Sequence, residues 1–76
     1  MRNSQPIATA ARKHREAIDA MVRARNVCSK AAVIARNGTA DAMRALNEAR
    51  VAYAAATAAF DESRDALFAA HDKAGI

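Results

Sequence analysis

ARNGTAD, residues 35–41, is the stretch that decides how this chain folds. Asn37-Gly38 supplies the left-handed residue on which helices commonly end, because glycine has no Cβ to clash there. Thr39 suits the N-cap of a following helix, and Asp41 suits its first turn, where free backbone N–H groups carry partial positive charge. Backwards from this point nothing interrupts a helix between Ile7 and Arg36. Pro6 is tolerated in a first turn, where its missing N–H has no partner to lose, and Ser4 is the expected N-cap. Forwards, the chain is unbroken to about Lys73, with Gly75 beyond it. The spacing therefore predicts one domain over 1–76, with helix 1 at about 6–36, a turn at 37–39 and helix 2 at about 40–73. At 1.5 Å per residue each helix is about 45–50 Å long, and so short a connection makes the two antiparallel.

A seven-residue repeat runs through both helices. Ala10, Ala17, Ala24 and Ala31 form one column of the first, beside Ile7, His14, Met21, Cys28 and Ala35. The second has three columns: Ala42, Ala49, Ala56, Ser63 and Ala70; Ala45, Ala52, Ala59 and Ala66; Leu46, Tyr53, Phe60 and Leu67. Apolar residues at sustained 3–4 spacing predict coiled-coil-like packing. Folding about Gly38-Thr39 brings Ala31 to Leu46, Ala24 to Tyr53, Ala17 to Phe60 and Ala10 to Leu67, small against large each time. It also brings His14 to Ser63, the one polar residue of its column. A register shifted by about three residues is sterically open as well.

The core of such a hairpin is thin. Alanine supplies 23 of the 76 residues, and there is no tryptophan. Alanine favours helix but buries little apolar surface. Chains below roughly 80 residues usually need disulfides, a metal or self-association. With Cys28 as the sole cysteine, no internal disulfide forms and no zinc cluster exists, so self-association remains. The expected fold class is all-α: an antiparallel two-helix hairpin with alanine-rich heptads, assembling into a homo-oligomeric helical bundle. Surplus apolar residues mark the oligomer or partner interface: Leu46, Tyr53, Phe60 and Leu67 on one helix, and Val22, Val27 and Ile34 on the other, where Ala20 and Val33 add to the same surface.

Charge divides unevenly. Residues 1–38 hold eight Lys+Arg against two Asp+Glu, and residues 39–76 hold four against six, so +6 and −2 give the net +4. Part of this is expected to pair at i,i+4, as Arg12–Glu16, Arg15–Asp19 and Asp19–Arg23. Asp61, Glu62, Asp65 and Asp72 are expected to lie beside the basic half and neutralise more of it. What remains, Arg12, Arg15, Arg23, Arg25 and Lys30, is the candidate contact for an anion or nucleic acid. Arg25 stands out because it interrupts the apolar column Ala11, Ile18 and Ala32.

No pattern of catalysis emerges. His14 falls in the seam and His71 near the helix end, outside any H-E-x-x-H or E-x-x-H spacing, and two isolated glycines make no phosphate loop. Neither an enzyme, a metal site nor a cofactor is expected. No secretory leader or membrane span is expected either, which points to a cytoplasmic protein without a membrane partner. The leading expectation is a small protein-binding regulator or inhibitor, phage or mobile-element encoded, acting as a homo-oligomeric bundle with another protein as partner. The first alternative is an RNA- or DNA-binding hairpin dimer using the basic first helix. Further alternatives are an assembly or scaffolding subunit, or sequestration of a small anionic ligand such as a nucleotide between protomers.

Overall fold

The computed structural model describes residues 4–75, and side chains over 6–73. It contains two helices, α1 (Ser4–Ala35) and α2 (Ala40–Gly75), and no strand among the described residues. The helices pack side by side into a rod with extents of 56 × 13 × 12 Å. The fold is thus the all-helical hairpin that the turn residues dictate. α1 begins earlier than Pro6 and already includes Ser4, whose expected capping side chain lies outside the described residues. It ends one residue before Arg36, and α2 continues two residues past Lys73.

The turn works through named hydrogen bonds. The Arg36, Asn37 and Gly38 N–H groups donate to the carbonyls of Val33, Ile34 and Ala35 at 3.3, 3.0 and 3.0 Å, tightening the last turn of α1. Gly38 has φ +76°, the left-handed conformation. Thr39 then caps α2: the Ala42 N–H donates to Thr39 Oγ1 at 3.1 Å, satisfying a backbone group the helix itself leaves free. A Cβ on Gly38 would meet nothing within 4 Å, so only its backbone conformation resists substitution. Gly38→Ala is expected to lower stability by about 1 kcal/mol, and Gly38→Asn by less because asparagine tolerates this region. Thermal melts of the two variants check the order.

Along the seam, the less exposed residues follow the repeat. On α1 they include Ile7, Ala10, His14, Ala17, Met21, Ala24, Cys28, Ala31 and Ala35, and on α2 Ala42, Leu46, Ala49, Tyr53, Ala56, Phe60, Ser63, Leu67 and Ala70. The column Ala45, Ala52, Ala59 and Ala66 is exposed throughout and takes no part in the seam. Register is set at two places. His14 Nδ1 lies 2.9 Å from Ser63 Oγ, and near the turn Ala35, Ala42 and Leu46 form one cluster with Cys28 and Ala31 packed against it. Both correspond to partners whose numbers sum to about 77.

Burial is concentrated at the turn end. Among the described residues only Ala35, Ala42, Leu46 and Ala49 are buried, and even Leu46 keeps 6% exposure. Towards the open end the seam instead carries a polar tie. Ser63 Oγ donates to the Phe60 carbonyl at 2.9 Å, so the same hydroxyl accepts the proton of His14 Nδ1. The His14 ring packs on Phe60 with centroids 5.0 Å apart. The tie satisfies two polar groups at once and holds the helices in step where apolar contact is sparse.

Candidate interaction surfaces

Two flanks run along the hairpin on either side of its seam, and a groove shows which residues share one. Pro6 and Lys13 from α1 and Ala59 and Ala66 from α2 line a single open groove of about 650 Å³, edged by Thr9 and Glu62. Residues seven apart on a helix fall on nearly the same stripe. The groove stripe of α1 therefore continues from Lys13 through Ala20, Val27 and Ile34, and that of α2 through Ala52 and Ala45. From Ala20 to Ile34 and from Ala45 to Ala66 these stripes carry no charge, and together they form an alanine side. Val27 and Ile34 are each 57% exposed there. Its edges differ in sign: Glu16, Arg23 and Lys30 border it on α1, and Asp41, Glu48 and Glu62 on α2.

The opposite flank is built differently. There α1 presents Ala11, Ile18, Arg25 and Ala32, bordered by Arg15, Val22 and Arg36. From α2 come Met43, Arg50, Thr57, Arg64 and His71, bordered by Asn47, Ala54, Asp61 and Phe68. Five arginines thus gather on this arginine side, and the aspartates that reach them, Asp61 and Asp65, both do so at Arg64.

The expected interface residues separate accordingly. Leu46 is buried in the hairpin's own seam, and Tyr53, Phe60 and Leu67 are half-buried along it, so this column is largely spent on holding α1 to α2. Val22 is half-buried on the arginine side, whereas Val27 and Ile34 stand free on the alanine side. Arg12, Arg15, Arg23, Arg25 and Lys30 are all exposed but do not share a face. Arg15 and Arg25 lie on the arginine side, Arg23 and Lys30 edge the alanine side, and Arg12 lies on the outer stripe. Sequence reasoning along α1 missed Arg50 and Arg64, which join Arg15 and Arg25 only when the second helix is folded beside the first. It also missed the exposure of Met43, Val51 and Phe68.

The intrahelical pairs expected on α1 do not form. Among the described residues the ion pairs all lie within α2: Arg44 with Asp41 at 3.3 Å, and Arg64 with Asp61 at 3.7 Å and Asp65 at 3.5 Å. Of the four acidic residues expected beside the basic half of α1, Asp61 and Asp65 are therefore engaged by α2's own arginine. Exposed pairs of this kind contribute little, so the side chains of α1 gain little by closing them.

Ser63 bonds the Phe60 carbonyl of its own helix and lies within hydrogen-bond distance of His14 Nδ1, so the seam's histidine and serine are tied to each other. Cys28 is half-buried against the turn-end cluster. No group of three or more His, Cys, Asp and Glu positioned for a metal occurs among the described residues, and no described helix is long and apolar enough to cross a membrane. Compared with protein-family models, curated proteins and solved structures, the chain matches none of them.

Proposed function

We propose that this chain is a small non-enzymatic binding protein that works as a homo-oligomeric helical bundle and regulates or inhibits a protein partner. The observation that carries this reading is the mismatch between buried and exposed apolar surface. Among the described residues no side chain is fully enclosed, while Val27, Val33, Ile34, Met43, Val51 and Phe68 remain between 44% and 71% exposed. A lone hairpin this thin has little to set against its conformational entropy, and association is the remaining route to a larger core.

The alanine side suits a second copy. With a two-fold axis along the rod, Ile34 meets the alanine column of the other copy near Ala45, and Val27 meets it near Ala52. Large then faces small across the new seam, as it does within the hairpin. The same axis sets the edge with Arg23 and Lys30 against the edge with Asp41, Glu48 and Glu62. A perpendicular axis would set like edges together. A strip along the 56 Å rod needs a width of only about 15 Å to bury about 800 Å² per copy, the size of a stable interface. Met43, Val33, Val51 and Phe68 lie off this side and are left for another protein.

Sedimentation equilibrium at micromolar concentration tests the reading. The expected mass is twice the 8.1 kDa of the chain or a higher multiple. A monomer persisting to about 100 μM, an association free energy weaker than about −5.5 kcal/mol, would end it.

A further inference from the structure

We propose that the arginine side is a binding surface for the phosphate backbone of a nucleic acid, with contacts contributed by both helices. Its elements are Arg15 and Arg25 from α1, Arg36 in the turn that follows it, and Arg50 and Arg64 from α2, away from the residues that line the groove. It needs no second copy and stands on a different observation from the oligomer reading: five arginines drawn from both halves of the chain gather on one side of the rod.

Register turns these five residues into a pattern. Because partners sum to about 77, Arg25 lies two residues along the axis from Arg50, and Arg15 two residues from Arg64. Each pair is a tier of cations within about 3 Å of axial rise, and the tiers are about 18 Å apart. Guanidinium groups on long side chains at that separation reach phosphates on either side of a groove about 12 Å wide. Arg15, Arg25, Arg36 and Arg50 have no ion-pair partner among the described residues, and Arg64 alone is engaged, by Asp61 and Asp65. A phosphate therefore displaces only weak, exposed contacts.

The chemistry favours nucleic acid over other anionic partners. Every cation of the cluster is arginine, whose planar fork donates two parallel hydrogen bonds to a phosphate, where lysine offers a point charge. Ala11, Ala32, Ala54 and Thr57 lie among the arginines, the half-buried Ile18 and Val22 lie between Arg15 and Arg25, and Met43 and Phe68 stand at the two ends. A helix that binds a bilayer needs a broad exposed face of large apolar residues beside its cations, and here the two large apolar residues that are exposed, Met43 and Phe68, lie at opposite ends of the side. With no aromatic between the tiers to stack on bases, contact falls on the backbone, so affinity is set by charge and not by sequence.

Fluorescence anisotropy with a labelled DNA duplex and an RNA duplex of equal length, across a salt series, is the test. Arg25→Gln combined with Arg50→Gln is expected to weaken binding about tenfold or more and to make the salt slope shallower by about two. Arg12→Gln combined with Arg44→Gln removes the same charge from the outer stripe and is expected to change affinity less than about threefold. Far-UV circular dichroism confirms that each variant stays helical. Equal losses from both pairs would overturn the assignment to this side. Absence of binding at low salt, or binding to phosphatidylserine vesicles but to neither duplex, would overturn the proposal outright.

Discussion

Leu46→Ala is expected to lower the stability of the hairpin by about 3 kcal/mol, or about 10–20 °C in Tm for a chain of this size. Leu46 is the most enclosed side chain among the described residues, and the residues clustered with it are the alanines Ala31, Ala35 and Ala42 and the small Cys28. Alanines cannot extend into the space that truncation leaves, so the cavity stays open and its cost adds to the lost transfer energy. Leu67 occupies the same column three turns of the repeat away, at the open end, where it is half-buried beside a groove. Leu67→Ala is expected to cost about 1 kcal/mol, since partial burial scales the loss down. Melts of both variants at one fixed protein concentration make the comparison fair, because association shifts Tm by mass action. Equal losses would mean that the core is not gathered at the turn as the burial pattern indicates.

Gly38, Thr39 and the column positions of Leu46 and Phe60 were readable because each rests on local chemistry. A left-handed glycine followed by a capping threonine has few meanings, and large residues seven apart on a helix share a stripe wherever the rest of the chain lies. The register was readable at one point, since His14 and Ser63 are polar intruders in apolar columns and each needs a partner. Alanine columns are a different matter. Ala42 and Ala45 have identical side chains, so nothing in composition says which column closes the seam and which stays exposed. The structure divides them: Ala42 is buried and Ala45 faces out. The α1 ion pairs could not be settled from spacing either, because exposed pairs differ from open ones by a few tenths of a kcal/mol. The arginine side escaped a helix-by-helix search for a geometric reason. Arg25 and Arg50 are twenty-five positions apart in the chain, and only the antiparallel register sets them side by side.

Val27→Asp combined with Ala52→Asp is expected to dissociate the oligomer, raising its dissociation constant by about a hundredfold or more. In the proposed two-fold arrangement each substituted position meets its counterpart's stripe on the other copy, so four carboxylates enter one apolar seam. Charges of one sign cannot pair with each other there, and removing them from water costs several kcal/mol whether they stay ionised or take up protons. In the isolated hairpin the same positions are exposed, so the fold itself should persist as a monomer of reduced stability. Val33→Asp combined with Val51→Asp supplies the control: these valines are 59% and 71% exposed but lie on the outer stripes, away from the alanine side. That pair should leave the mass unchanged while weakening contact with a protein partner that docks on the outer surface. If instead the outer pair dissociates the oligomer and the alanine-side pair does not, the copies meet through the opposite surface and the two-fold arrangement is wrong, although the bundle is not. If both pairs leave the mass unchanged, neither the alanine side nor the outer stripes join the copies. The half-buried column Tyr53, Phe60 and Leu67 would then be the surface to substitute next, since it holds large apolar groups shared between the seam and solvent.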